Sequence, residues 1–429
     1  MLKLKRNAIN QLIAWKDSKN NQPIWISGIK GVGKTYLALD FAKSFYEGNL
    51  YVNFETNAAI RSLIQKECTS VDQDHNIIEL LCLHFQIPTE YVGNLLFILD
   101  EIGVCPEAVT MLQDLVRAGS NVPIVVISSE VVEHESELFT ECKMYPMEFD
   151  EYLVAEGNEW YAEVIKGHFQ TSRKVPEIVH KELLNSFDDY LLVGGMPAAV
   201  NDFLSMEGNQ NTSEVHLNLY RNLVERAMKH TNESESLKIS QVFDVMTTQL
   251  MKENKKFQYR FIRKGATYTL YKEAISYLVD NSYLYKCTKN TYDKNNEEIA
   301  NDTLQFKLFM PDVGILNTLI NMNEDFLTTD ENLRQKTIIE NYMMQSLTAR
   351  GYTPNFWESN SLAKIDFIIN TKDGIVPIET KTMENSRGKS IGIFKATHEV
   401  PYSIRVSSKN FEFTNHVKNI PYYAIFCLK

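Results

Sequence analysis

An α/β fold organised on a parallel sheet is predicted by three stretches, each an apolar run that ends in residues able to do chemistry. Pro23-Ile-Trp-Ile-Ser27 leads into Gly28-Ile-Lys-Gly-Val-Gly-Lys-Thr35, and Tyr36-Leu-Ala-Leu-Asp-Phe-Ala-Lys43 follows with a helical pattern. Asn94-Leu-Leu-Phe-Ile-Leu-Asp-Glu-Ile102 runs into two acids, and Val122-Pro-Ile-Val-Val-Ile127 runs into Ser128-Ser129-Glu130. Strands buried on both faces carry such continuous runs, and open α/β sheets gather their ligands beyond the C-terminal strand tips.

The first stretch has Gly28, Gly33, Lys34 and Thr35 at the places required by the phosphate-binding pattern Gly, four residues, Gly-Lys-Ser/Thr. Phosphate oxygens need several donors converging on one point. Glycines let the backbone curl its N–H groups inward at a helix N-terminus, where the dipole also favours an anion. Gly28, Gly31, Gly33, Lys34, Thr35 and Tyr36 are therefore the expected ATP-binding set. Lys34 would reach the β- and γ-phosphates, and the Thr35 hydroxyl would ligate Mg2+. Asp100 would hold the same metal, directly or through water, and Glu101 would orient the attacking water. At the third strand tip Ser128 or Ser129 is a candidate γ-phosphate sensor, with Ser128 assigned to the catalytic set beside Lys34, Asp100 and Glu101. An N-cap serine for a following helix is the other account of that pair.

The remaining elements of the first half follow from periodicity. A helix is expected over residues 7–19, a strand over Asn49-Leu-Tyr-Val-Asn-Phe-Glu55, and helices near 58–66 and 76–85. The 429 residues exceed what one hydrophobic core usually serves, so two or three domains are expected. With 44% hydrophobic and 11% aromatic residues, packed cores are within reach and disorder is disfavoured. No apolar run approaches the roughly 18 residues of a membrane span, and no signal-peptide h-region follows the N-terminus, so a soluble cytoplasmic protein with no membrane partner is expected. The six cysteines never form a C-x-x-C pair, which argues against a zinc site and against a disulfide framework. A formal charge of −11 argues against a surface that coats nucleic acid indiscriminately, though it leaves room for a local basic patch.

With these motifs in hand, the chain resembles the bacterial and archaeal AAA-superfamily ATPases that carry a C-terminal domain of unknown function with a nuclease-like tail. The matching stretches are Tyr51-Val-Asn-Phe-Glu55, Leu99-Asp-Glu-Ile102 followed by Cys105-Pro106, Tyr145-Pro-Met-Glu-Phe-Asp-Glu-Tyr-Leu153, and Gly194-Gly-Met-Pro197, which is similar to the family's lid motif. Gly103 stands where the family usually has glutamine, and Ile127-Ser128-Ser129 where it has Thr-Gly-Ser; neither departure removes a phosphate or magnesium ligand.

From about residue 211 to 322 the chain becomes helical, tyrosine-rich and locally basic. Lys252, Lys255, Lys256, Arg260, Arg263, Lys264 and Lys272 are interleaved with Phe257, Tyr259, Phe261, Tyr268 and Tyr271. This 252–272 segment could hold a DNA backbone with its bases on the aromatics, or the aromatics could be core and the lysines a solvated helix face. Arg260 and Arg263 could also serve as arginine fingers on a neighbouring subunit of a homo-oligomer. The resemblance implies a winged-helix-like segment here, with a helix from Tyr268 to Asn281 and a hairpin strand at Tyr283–Lys286. Residues 290–301, rich in Asn, Asp, Lys and Glu, read as a polar hairpin tip or loop. Phe309-Met-Pro-Asp-Val-Gly-Ile-Leu316 matches the stretch leading to the tail, and residues 328–334 read as the linker.

In the tail, Ile365-Asp-Phe-Ile-Ile369 and Val376-Pro-Ile-Glu-Thr-Lys381 are expected strands joined by a turn, with Glu379 and Lys381 on one face. Together with Asp366, and Glu340 from a helix over residues 336–349, they resemble a PD-(D/E)xK nuclease core, in which acids bind magnesium and a lysine stabilises developing charge. The resemblance extends to Phe356-Trp-Glu-Ser359, Ser386–Ser390, Ile404–Phe411 and Pro421–Cys427, while Lys364 stands where the family usually has glutamate. The expected organisation is an AAA-type P-loop ATPase domain with a helical lid (1–205), a winged-helix-like domain (206–330) and a restriction-endonuclease-like α/β domain (331–429). The expected activity is Mg2+-dependent ATP hydrolysis coupled to a DNA-directed nuclease-like domain; the alternative is a nucleotide-controlled switch for a partner protein, with the tail catalytically dead.

Overall fold

The computed structural model describes residues 3–18, 22–70, 75–205, 211–229, 231–292, 298–323, 326, 330–359, 363–382 and 389–428. It divides into two compact units, Lys5–Tyr145 and a second formed by Pro146–Lys429 with Met1–Leu4.

The first unit follows the apolar runs. Helix α1 (Ile9–Asp17) precedes β1 (Ile24–Ser27), and the glycine loop joins β1 to α2 (Lys34–Phe45). Then come β2 (Gly48–Asn53), α3 (Ala58–Thr69), α4 (Ile77–Phe85), β3 (Leu95–Asp100), α5 (Pro106–Arg117), β4 (Ile124–Ser128) and β5 (Thr140–Lys143). Residue 19 of the expected first helix lies outside the described residues. Strand β2 stops short of Glu55 because Asn53 Oδ1 accepts from Thr56 N at 3.0 Å and turns the chain. A capping box between Asn76 and Glu79 starts α4, and Pro106 in the first turn starts α5.

The five strands form a sheet in the order β2-β3-β4-β1-β5, with every pairing parallel. Leu96 through Leu99 and Val125 through Ile127 are fully buried, which accounts for runs that do not alternate. Phe97, Leu99, Ile124 and Val126 share one core with Ile60, Ile64 and Leu112. Asp100, Glu101, Ser128 and Ser129 thereby arrive at neighbouring strand tips beside the glycine loop.

The second unit opens with α6 (Phe149–Ala155), α7 (Glu159–Thr171), α8 (Glu177–Val193) and α9 (Pro197–Leu204). The middle segment holds α10 (Thr212–Lys229), α11 (Glu233–Leu250), α12 (Tyr268–Asp280), β6 (Tyr285–Tyr292), β7 (Glu298–Phe309) and α13 (Val313–Asn321). Next are α14 (Glu331–Ala349), β8 (Asn355–Glu358), β9 (Lys364–Thr371), β10 (Gly374–Thr380), α15 (Ser390–Thr397), β11 (Ser403–Ser407), β12 (Glu412–Thr414) and β13 (Val417–Pro421), with a closing 3-10 turn at Tyr422–Cys427. The hairpin strand starts at Tyr285 and runs well beyond Lys286; 293–297 of the expected polar tip, 328–329 of the expected linker and 386–388 of the Ser386–Ser390 stretch lie outside the described residues.

One eight-stranded sheet, in the order β12-β13-β11-β10-β9-β8-β6-β7, carries strands from both sides of the 330/331 boundary expected from sequence. The join is a parallel pairing of β6 with β8 in the register Thr288↔Asn355 and Lys289↔Phe356, and Thr288 Oγ1 donates to Asn355 Oδ1 at 2.6 Å. Strands β9 and β10 form the expected antiparallel hairpin, and β11 adds in parallel to β10. No described helix is long and apolar enough to cross a membrane.

Candidate functional site

The glycine loop takes a shape that side chains would block. Gly28 has φ +146°, and a Cβ there would come within 2.2 Å of Met144 O. Gly33 caps α2 with φ +96°, the left-handed region, and offers no side chain that would compete for the first amides of the helix. Arg6 braces the loop from outside, donating through Nη1 to Val32 O and through Nη2 to Tyr145 O at 2.7 Å.

Lys34 is buried, with Nζ donating to Gly28 O at 2.6 Å, Ile29 O at 3.2 Å and Ser129 Oγ at 2.9 Å. An ammonium is strongly hydrated, so burying it in this ring of acceptors holds it ready for an anion at the loop. Thr35 Oγ1 donates to Asp100 Oδ2 at 2.9 Å. The same oxygen accepts from the Tyr51 hydroxyl at 2.7 Å and, more weakly, from Asn53 Nδ2 at 3.4 Å. The Tyr51 hydroxyl is pushed up to about 12, first by burial and then by the Asp100 carboxylate it serves, with Asn53 opposing; it stays a donor at neutral pH.

Glu101 sits at φ +53°, an uncommon conformation for a residue with a side chain, just past the end of β3. Its carboxylate is held by Ser129, whose N–H donates to Oε2 at 3.2 Å and whose hydroxyl donates to Oε1. Ser129 thus stands between Lys34 and Glu101. Ser128, the serine assigned to the catalytic set from sequence, turns the other way and accepts from Trp25 Nε1 at 2.9 Å. Trp25 in turn stacks on His134 with ring centroids 4.0 Å apart. Gly31 has φ +94°, and Tyr36 is exposed on the first turn of α2. Arg6 and Tyr51 are the partners that spacing alone did not assign; the motif Tyr51–Glu55 was the one signal available for the latter.

In the tail, each acid meets cations. Lys255 and Lys336 lie 3.1 and 3.4 Å from the Glu340 carboxylate. Burial alone would push Glu340 up; Lys255, Lys336 and Lys307 overcome it and hold the carboxyl at about 2. Asp366 moves the opposite way, raised by burial and by neighbouring Glu340, while its Oδ2 accepts from Thr380 N at 2.9 Å. Glu379 pairs with Lys381 at 2.8 Å and with Arg405 at 3.4 Å. Among the described residues no group of three or more His, Cys, Asp or Glu is placed to hold a metal ion. The nuclease-like residues are therefore near one another in pairs, but the acids face ammonium and guanidinium groups.

The basic segment divides in the same manner. Lys255 is buried against Glu340, and Lys256 pairs with Glu358 and donates to Gln305 Oε1 at 3.0 Å. Phe257 stacks on Phe306 at 5.5 Å and Tyr271 is buried, donating to Gln241 Oε1 at 2.6 Å. Lys252 and Arg260 flank the Phe261 ring, and Arg263 Nε donates to the Tyr271 hydroxyl at 3.2 Å. Lys252, Arg260, Arg263, Lys264 and Lys272 remain exposed, Lys272 pairing with Glu273 at 3.3 Å, with Tyr268 exposed beside them.

Residues 20–153 match the family model described as an AAA domain. Residues 184–325 and 335–425 match two domains of unknown function, DUF8612 and DUF4143. Among solved structures, the chain is similar to the Walker-type ATPase of Pyrococcus abyssi at 14% identity, covering 74% of this chain and 96% of that one with a TM-score of 0.45. It also overlaps a STAND protein with a tetratricopeptide repeat sensor from Pyrococcus horikoshii (14% identity, 81% and 46% covered, TM-score 0.30). AMPPCP-bound DnaA from Aquifex aeolicus overlaps at 14% identity, with 64% and 88% covered and a TM-score of 0.27. No curated protein matches. The match over residues 20–153 supports an AAA-type ATPase domain there, and the parallel five-stranded sheet fits a P-loop NTPase fold.

Proposed function

We propose that the chain binds ATP with magnesium at the glycine loop and hydrolyses it. The observation that carries this reading is the continuous set Lys34, Ser129 and Glu101 beside Thr35 and Asp100, all at the tips of β3 and β4 or the start of α2. The donor set fits a nucleotide: amides without a side-chain cap at Gly33, a buried ammonium, and a hydroxyl with a carboxylate as hard oxygen ligands. Thr35 and Asp100 would hold the magnesium, which supplies charge neutralisation at the β- and γ-phosphates. Gly28, Gly31, Gly33 and Tyr36 complete the phosphate cradle. Lys34 exchanges its carbonyl partners for phosphate oxygens, Glu101 orients the water, and Ser129 releases or steadies Glu101 according to what lies at the loop.

The tail is read as nuclease-like in layout and as a partner-binding or regulatory element in function. The observation favouring this second reading is that Glu340 is paired with Lys255 and Lys336 and Glu379 also with Arg405, cations outside the nuclease pattern that occupy the oxygens a divalent cation would need. No cleavage step is assigned to it. DNA remains the partner class for the exposed cations of the 252–272 segment, among them Lys252, Arg260, Arg263 and Lys264.

Two measurements separate these readings. Titration with fluorescently labelled ADP should show saturable binding in the wild type and none in Lys34→Ala; equal affinity in both overturns the loop assignment. Incubation with single- and double-stranded DNA and Mg2+ or Mn2+ should leave the DNA intact. Cleavage that Asp366→Ala abolishes would replace the regulatory reading with a nuclease.

A further inference from the structure

We infer that Tyr51 is a positioning residue for the metal side of the nucleotide site, setting how strongly magnesium reinforces nucleotide binding. The inference rests on the ATP-binding reading above and adds to it a residue that no glycine-loop or acidic-tip pattern contains.

The geometry begins with strand order. Strand β2 lies at the sheet edge beside β3, in a parallel register that puts Tyr51 opposite Ile98 and Asn53 opposite Asp100. From that edge the long Tyr51 side chain reaches the tip of β3, and its hydroxyl donates to Asp100 Oδ2 at 2.7 Å. Thr35, at the start of α2, donates to the same oxygen at 2.9 Å. A carboxylate oxygen has about two lone pairs in good directions. Oδ2 is therefore committed to the two hydroxyls, with Asn53 Nδ2 a longer third contact at 3.4 Å, and the carboxylate is restrained by donors on α2 and β2.

Two consequences follow for a divalent cation. Committing Oδ2 leaves Oδ1 as the oxygen Asp100 can turn to the metal or its water. Giving its proton to Asp100 also leaves the Thr35 oxygen with both lone pairs available as a ligand. Thr35 does this through its own bond, but it cannot by itself stop the carboxylate rotating about the Cβ–Cγ bond. Tyr51 supplies the main second restraint, at 2.7 Å against 3.4 Å for Asn53 Nδ2. The ring is only partly buried, 37% exposed, so the contact is one of orientation rather than of core packing.

Tyr51→Phe keeps the ring and removes the hydroxyl. Nucleotide affinity should be measured by titrating fluorescently labelled ADP into wild type and variant, once with excess EDTA and once with Mg2+, with thermal unfolding run alongside. The expected result is unchanged affinity in EDTA, unchanged Tm, and an Mg2+-dependent gain in affinity reduced about tenfold, the size of one hydrogen bond to a charged group. Binding of Mn2+ to the ADP-loaded protein, followed by the loss of the free-ion electron paramagnetic resonance signal, should weaken by a similar factor. A variant whose Mg2+ gain and Mn2+ affinity equal those of wild type overturns the inference. Failure of wild type itself to bind labelled ADP overturns the ATP-binding reading instead. Asp100→Asn should abolish the Mg2+ gain, showing that the assay reports the metal side.

Discussion

Gly195 donates its N–H to Asp312 Oδ2 at 2.7 Å, so the Gly194-Gly-Met-Pro197 stretch is bound to the Phe309–Leu316 stretch through a buried carboxylate. Neither motif needs the other in sequence, yet they form one joint. Asp312 also accepts from Ile315 N at 3.1 Å, capping α13. Burial raises its pKa above the usual carboxylate range, against the pull of His216 and the surrounding amides.

The joint predicts a severe cost for one added methyl group. Gly194 has φ +69°, and a Cβ there would lie 2.3 Å from Asp312 Oδ1 and 2.7 Å from Gly314 N. Gly194→Ala should therefore lose roughly 2–4 kcal/mol, combining backbone strain with disturbed hydrogen bonds to a buried acid. Denaturant unfolding followed by circular dichroism measures this; an unchanged midpoint would mean that the joint tolerates a side chain and does not constrain the fold.

The two serines at the tip of β4 should separate by phenotype. Ser129→Ala removes the hydroxyl between Lys34 and Glu101 and should lower ATP turnover by about a hundredfold, the scale of one missing electrostatic donor at a reacting centre. Ser128→Ala strands the buried Trp25 Nε1 and should cost about 1–3 kcal/mol of stability with turnover retained. Steady-state kinetics beside thermal unfolding decides the matter, and the reverse pattern would return the sensor role to Ser128.

The contrast between those serines shows what local sequence could tell. Leu95–Asp100 and Ile124–Ser128 were readable because strands buried on both faces leave unbroken apolar runs, and the acids and serines follow directly on them. Which serine faces the loop was not readable, because it depends on where β4 ends and on Trp25 claiming Ser128 from the neighbouring strand. Tyr51 reaches Asp100 only because β2 pairs with β3, a non-local event. In the tail, Asp366 and Glu379 fall on the expected hairpin and Lys381 lies just past the end of β10. Lys336 faces Glu340 at the i,i+4 spacing of α14, but Lys255 and Arg405 come from segments that no spacing connects to the acids they face.

The exposed part of the basic segment should govern any DNA affinity. Arg260→Glu with Lys264→Glu should weaken double-stranded DNA binding and flatten the dependence of log K on log salt by about 0.9 for each phosphate that is no longer neutralised. Lys256→Glu is a poor reporter because Lys256 already pairs with Glu358. Fluorescence anisotropy across a salt series provides the slope; an identical slope in the double variant places DNA binding on another surface or removes it.

The buried pair Lys255–Glu340, 3.1 Å apart and with both side chains almost wholly enclosed, makes the acid response of the second unit predictable. Burial would raise Glu340, but Lys255, Lys336 and Lys307 hold it at about 2, below its ordinary 4.5. A carboxyl depressed in the folded state binds its proton more readily when unfolded, so its stabilising contribution is complete above about 4.5 and disappears as pH falls towards 2. Asp366, raised by burial and by Glu340, contributes with the opposite sign and softens the net slope. Glu340→Gln should therefore unfold with a shallower loss of Tm between pH 5 and pH 3 than wild type, by about one proton's worth of slope. Lys255→Met leaves Glu340 short of a partner and should cost about 3–5 kcal/mol near neutral pH, whereas the double variant should recover much of that loss because no uncompensated buried charge remains. A double variant no more stable than Lys255→Met would mean that Lys336 and Lys307 already satisfy Glu340, and that Lys255 acts by packing alone.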